Sequence, residues 1–132
     1  MILYSKGYKY QLEQDYEHRT GIYTRDGIKT DYYELKNDGL LVINKGYAWD
    51  GPSGGVDTAN FMRASLVHDV LCQAIGDGLL PQTHQKAVDT LLREIAIEDG
   101  MWKMRAWWVY NAVRFHFRGG RKPDGREILQ AP

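Results

Sequence analysis

The hydrophobic pattern of the chain changes period once, across residues 46–59, and that change limits it to few architectures. The stretch "GYAWDGPSGGVDTA" holds Gly46, Gly51, Pro52, Gly54 and Gly55, too many turn-forming residues for a regular element. Before it, "YKYQLEQDYEHRTGIYT" and "TDYYELKNDGLLVINKG" are rich in Tyr, Ile, Val and Thr and are cut by Asp26-Gly27 and Asn37-Asp38-Gly39, the pattern of short strands joined by tight turns. After it the apolar positions recur at helical spacing. Helices are expected from about Asn60, as N-cap, to Ile75 with a stop at Gly76, from about Thr83 to Glu98 with a stop at Gly100, and from about Trp102 to Phe117 before Gly119-Gly120. Strands first and helices afterwards give an α+β domain: a small N-terminal antiparallel sheet over residues 1–45, a glycine-rich loop over 46–59, three packed helices over 60–118 and a polar tail over 119–132.

At 132 residues and 43% hydrophobic content the chain fits a single domain. Its 17 basic and 17 acidic residues balance, so no global charge favours nucleic acid or an anionic membrane. The balance hides a split: residues 1–100 carry 10 Lys or Arg against 15 Asp or Glu, leaving 7 against 2 for residues 101–132. One cysteine, Cys72, rules out an intrachain disulfide and fits a reducing compartment, where it reads as a small buried hydrophobe. No apolar run of signal-peptide or membrane-spanning character is evident, and "MWKMRAWWVYNAV" is interrupted by Lys103 and Arg105.

The polar residues of the first helix carry the chemistry. Ala64, Ser65, Leu71 and Cys72 neighbour His68 at spacings of three and four, so the imidazole is expected on the buried side. Asp69 follows it, about 100° round the helix. The second helix runs back antiparallel, with Asp89 at the edge of a Val88, Leu91, Leu92, Ile95 stripe, in reach of the first helix. A histidine held by one carboxylate, beside a second carboxylate and after a glycine loop, has the parts for base catalysis by His68, Asp89 and Asp69. The same histidine on an apolar face is more often a satisfied core residue, and both readings stand. Asp50, Ser53 and Asp57, with the carbonyls of the glycine loop, offer oxygen ligands for a hard cation such as Ca²⁺, in which Asp69, Asp50 and Asp57 would be the metal ligands. No cysteine cluster or HExxH is present, which argues against a structural or protease-type zinc site. Among the other histidines, His18 is expected to face solvent from a strand, His84 to open the second helix, and His116 to complement the dipole at the end of the third.

The third helix is aromatic and basic. "MWKMRAWWVYNAVRFHFRGGRK" has six Lys or Arg and no acid. Trp108, Ala112 and Phe115, with Met101 and Met104, are expected to pack on the core. Lys103, Trp107, Tyr110, Arg114 and Arg118 form the other stripe, a protein interface in the first instance, a membrane-surface contact in the second and a nucleic-acid contact in the third.

Two resemblances arise from these residues. From Val42 to Phe117 the chain resembles a family found largely in bacteriophages and prophages, known as domain of unknown function 1353. "VINKGYAWD" corresponds to its "V-P-x-G-F-x-T-D" type segment, His68, Asp69 and Leu71 to its "H-D-x-L", and Asp89 to its "A-D", with Asn44 in place of the proline and Val88 in place of the alanine. This resemblance implies a phage protein, located in the host cytoplasm or the particle, with protein partners. Locally, the glycine loop, the His-Asp helix and the Asp of an antiparallel helix are similar to secreted phospholipase A2 enzymes. That similarity implies a metal-assisted hydrolase, with His68 as general base, Asp89 orienting it, Asp69 on Ca²⁺ and Gly51 to Gly55 as the calcium loop. Those enzymes are disulfide-rich, unlike this chain. The alternative is a non-enzymatic virion or assembly component in which the cluster is a buried polar network.

Overall fold

The computed structural model describes residues 4–5, 10–49 and 59–119, and shows the α+β order read from the sequence. Seven short strands precede three helices: β1 (Tyr4–Ser5), β2 (Tyr10–Leu12), β3 (Tyr16–Arg19), β4 (Ile28–Lys29), β5 (Tyr33–Leu35), β6 (Leu40–Ile43), β7 (Ala48–Trp49), α1 (Ala59–Gly76), α2 (Gln85–Glu98) and α3 (Lys103–Gly119). A single 3-10 turn, Gln82–His84, leads into α2.

The strands make two antiparallel sheets where one was expected, ordered β1-β2-β7 and β3-β6-β5-β4. The residues expected as loop from position 46 therefore begin with a strand: Ala48 pairs with Gln11 and Trp49 with Tyr10. Burial alternates along the strands as pleating requires. Leu41 and Ile43 of β6 face inward with Tyr33 and Leu35 of β5, while Leu40 and Val42 are half-buried on the other side.

Helix α1 is the centre of the molecule. From Phe61 to Ile75 only Arg63 and Gln73 escape full burial, so the helix is enclosed nearly all round and its polar Ser65, His68 and Asp69 are buried with it. It is fastened to the sheets by polar contacts: the Trp49 indole N–H donates to Ser65 Oγ at 3.0 Å and the Tyr47 hydroxyl to Gln73 Oε1 at 2.8 Å. Asn60, expected to cap the helix, lies inside it. Helix α2 lays Val88, Leu91, Leu92, Ile95 and Ala96 against α1. It ends in a Schellman turn, with Gly100 N–H bonding to the Ile97 carbonyl and Met101 N–H to that of Ala96, a geometry that needs the positive φ of Gly100, 103°. Met101 is thereby buried and α3 turns back along α2.

On α3 the side that meets α2 is not the one expected. Ala106 and Val113 are buried and Val109 packs partly against the core, whereas Met104, Trp108 and Ala112, assigned to the core by spacing, are exposed. The smaller residues take the buried positions, and the bulky aromatic side is turned outward. The Phe115 side chain and residues 120–132 lie outside the described residues.

Candidate functional site

His68 is 1% exposed and its side chain is wholly enclosed. Its Nε2–H donates to Asp89 Oδ1 at 2.7 Å, a contact that the antiparallel α1 and α2 bring about because both residues sit on the facing stripes. Asp89 is also fully buried and accepts two further hydrogen bonds: the Gln85 amide donates to Oδ1 at 3.0 Å and the Arg114 guanidinium to Oδ2 at 3.1 Å. Three donors on one carboxylate are what a buried anion requires. Cys72, one turn after His68, places Sγ 3.6 Å from Nε2 and 3.7 Å from Nδ1 of the ring, and 3.6 Å from the Gln85 amide nitrogen. His68, Cys72 and Asp89 each present a ligand atom within 4.8 Å of the others.

Asp69 is buried on the neighbouring side of α1. Burial, reinforced by the negative field of Asp69, raises the Tyr47 pKa well above the ordinary phenol value, so Tyr47 stays a neutral donor to Gln73. Asp50, Asp57 and Gly51 to Gly55, the expected cation loop, lie outside the described residues. An open groove of about 500 Å³ runs between Thr20, Ile22 and the α2 residues Lys86, Thr90 and Glu94; neither His68 nor Asp89 lines it.

The residues expected at an interface separate. Lys103 and Trp107 are exposed. Tyr110 and Arg114 are half-buried toward α2, where Arg93 stacks 4.5 Å above the Tyr110 ring and Arg114 holds Asp89. The Arg118 side chain lies outside the described residues. Large apolar groups dominate the outer side: Trp102 is 84% exposed, Met104 78%, Trp107 57% and Trp108 69%.

Sequence reasoning missed Gln85 and a second network altogether. Arg63 of α1 donates twice to Asp99, through Nε at 2.9 Å and Nη2 at 2.7 Å, once to Glu98 and once to the Tyr16 hydroxyl at 3.0 Å. Tyr16 in turn lies 3.2 Å from His18 Nδ1. His18 is therefore half-buried against this network, not solvent-facing, and burial, with the Arg63 charge, lowers its pKa. His84 precedes α2 without a side-chain capping bond. Thirty-six residues separate Arg63 from Asp99, so no local pattern announces the pair; the one sign is a single arginine on a largely buried helix.

The residues of the cluster fall where the family comparison does. Residues 56–113 match the family described as Protein of unknown function (DUF1353). The match covers somewhat less than half of the chain, takes in His68, Asp69, Cys72, Gln85 and Asp89, and stops one residue before Arg114. No curated protein and no solved structure matches the chain. No helix among the described residues is long and apolar enough to cross a membrane.

Proposed function

We propose that the protein is a non-enzymatic assembly component, of virion or phage-assembly type, that docks on protein through the outer face of α3 while the His68 cluster fastens α1 to α2. The observation that carries this reading is the outward apolar stripe of Met104, Trp107 and Trp108 beside Trp102. A helix already packed by Ala106 and Val113 gains nothing from three more aromatics in water, and such patches belong to interfaces. The enclosure of His68 points the same way, because a general base must reach its substrate. The phage setting, in the host cytoplasm or the particle, rests on the resemblance from Val42 to Phe117.

The partner that fits is an acidic protein surface, and a second copy of the chain offers one. Residues 101–132 carry a surplus of five positive charges and residues 46–100 a surplus of five negative ones, residues 1–45 being balanced, so α3 of one copy is attracted to the helical part of another. Such head-to-tail contact extends into rings or filaments, and the zero net charge of the chain does not oppose it. Sedimentation velocity over a concentration series tests the reading. The wild type is expected to associate, less so at high salt, and Trp107→Glu/Trp108→Glu to sediment as a monomer. A wild type that remains monomeric at low salt overturns self-docking. Ca²⁺-dependent hydrolysis of phospholipid vesicles that is lost in His68→Ala would replace the reading with that of a hydrolase in which Asp69, Asp50 and Asp57 hold the ion.

A further inference from the structure

The geometry points to a structural zinc site between α1 and α2, with His68 Nε2, Cys72 Sγ, Asp89 Oδ1 and the Gln85 side-chain amide as its four ligands. These atoms form a closed ring: 2.7 Å from His68 Nε2 to Asp89 Oδ1, 3.0 Å on to the Gln85 amide, 3.6 Å on to Cys72 Sγ and 3.6 Å back to His68 Nε2. Tetrahedral zinc, with bonds of about 2.0 to 2.1 Å to N and O and about 2.3 Å to S, sets its ligand atoms about 3.6 Å apart where sulfur is involved and about 3.3 Å apart otherwise. Both sulfur edges of the ring already have that spacing. The other two need to open by roughly 0.3 to 0.6 Å.

A second observation points to a ligand. Gln85 is 92% buried, being 8% exposed, and only its amide nitrogen is hydrogen-bonded, Oε1 having no partner, so the Asp89 and Cys72 contacts alone decide which end of the amide faces them. Its amide N–H now fills the position between Asp89 and Cys72. Turned end for end, the amide puts Oε1 there, where two acceptors and a thiolate face one another and a divalent cation is the group that reconciles them. The donor set selects the ion: imidazole and thiolate suit zinc, and a hard cation such as Ca²⁺ takes neither. Charge agrees, since the Cys72 thiolate and the Asp89 carboxylate together cancel Zn²⁺, and Arg114 remains on the outer Asp89 oxygen as a partner beyond the ligands. The sequence hides such a site because its ligands come as two mixed pairs four apart on two helices, His68 with Cys72 and Gln85 with Asp89, which match neither CxxC nor HExxH. The site is independent of what α3 binds.

The test refolds the full chain from denaturant with Co²⁺ as a spectroscopic substitute, which avoids the question of entry into a closed core. One equivalent is expected to give a thiolate-to-cobalt band in the near ultraviolet and the strong visible bands of four-coordinate cobalt, both bleached by Zn²⁺. Because binding releases the thiol proton, affinity rises with pH. Cys72→Ser, shown to be folded by circular dichroism, loses the near-ultraviolet band, and Asp69→Asn keeps it. Zinc X-ray absorption of the refolded wild type, which needs no variant, is expected to show one sulfur among nitrogen and oxygen neighbours. Absence of the thiolate band at saturating Co²⁺, a zinc spectrum without sulfur, or metal binding that survives Cys72→Ser but not Asp69→Asn would overturn the site.

Discussion

Asp89 on α2 stands 2.7 Å from His68 on α1, and neither side chain is exposed to solvent. The carboxylate is the point where α1, α2 and α3 are joined, because Arg114 of α3 reaches its other oxygen. Removing it takes from His68, Gln85 and Arg114 the charged acceptor that they share. Asp89→Ala is expected to destabilise the fold by about 3 to 5 kcal/mol, the usual cost of breaking a buried pair from one side. Asp89→Asn, which keeps an acceptor oxygen, is expected to cost less. Urea unfolding at neutral pH measures both, and equal, small losses would show that the cluster does not join the helices.

Arg63 performs a similar task on the opposite side of α1, tying it to the end of α2 and to β3. Arg63→Met, which keeps the length and removes the hydrogen bonds, is expected to cost about 1 to 3 kcal/mol, as for hydrogen bonds to charged groups that are partly buried. A change within about 0.5 kcal/mol, typical of plain surface substitutions, would contradict the account.

His18 makes this network sensitive to pH. Burial first, and then the Arg63 charge, holds its folded-state pKa below the ordinary 6.5, with Glu98 and Asp99 acting in the opposite direction. The unfolded chain therefore binds a proton more readily than the folded one between the two values, and stability rises with pH across that window. Relative to pH 7.5, the protein is expected to lose stability as the pH falls below about 6.5, with the His18 share levelling off below its folded pKa. His18→Gln removes that share. Denaturation midpoints from pH 5 to 8 for the two proteins test the difference; parallel curves would sink it.

Gly100 gives a prediction in which contacts play no part. A Cβ there meets nothing within 4 Å, yet the φ of 103° is one that side chains rarely adopt. Gly100→Ala is expected to cost about 1 to 3 kcal/mol from backbone strain alone. Thermal melts that match the wild type would show that the turn between α2 and α3 relaxes without penalty.

What could be read in advance follows from which signals are local. The pairing of α1 with α2 was legible because Val88, Leu91, Leu92 and Ile95 repeat at helical spacing and set Asp89 beside His68. β7 was not, because two residues, Ala48 and Trp49, are too few to show a period inside a glycine-rich stretch. The orientation of α3 was ambiguous in principle: Met104 and Trp108 on one side compete with Ala106 and Val113 on the other, and spacing alone favours the larger residues. The buried side carries the smaller ones. Gln85, and Arg114 as a partner of Asp89, could not be foreseen because their roles depend on three helices meeting.

The exposed side of α3 also sets a control. Since Trp107 and Trp108 stand largely in water, Trp107→Glu/Trp108→Glu is expected to leave the unfolding free energy within about 0.5 kcal/mol for each site, while Ala106→Glu, which forces a charge into a fully buried position, prevents stable folding. Chemical denaturation of the three proteins distinguishes the inner face from the outer. A double variant as unstable as Ala106→Glu would mean that the aromatic stripe belongs to the core.

Three of the four tryptophans, Trp102, Trp107 and Trp108, lie on the outer surface at α3, and Trp49 is buried. Their emission therefore reports directly on whether that face is covered. The decisive measurement is tryptophan fluorescence with acrylamide quenching across a concentration series at low ionic strength. If α3 docks on a second copy, the emission shifts to shorter wavelength and quenching falls as concentration rises, and added salt reverses both. Emission and quenching that do not change with concentration would contradict docking through this face.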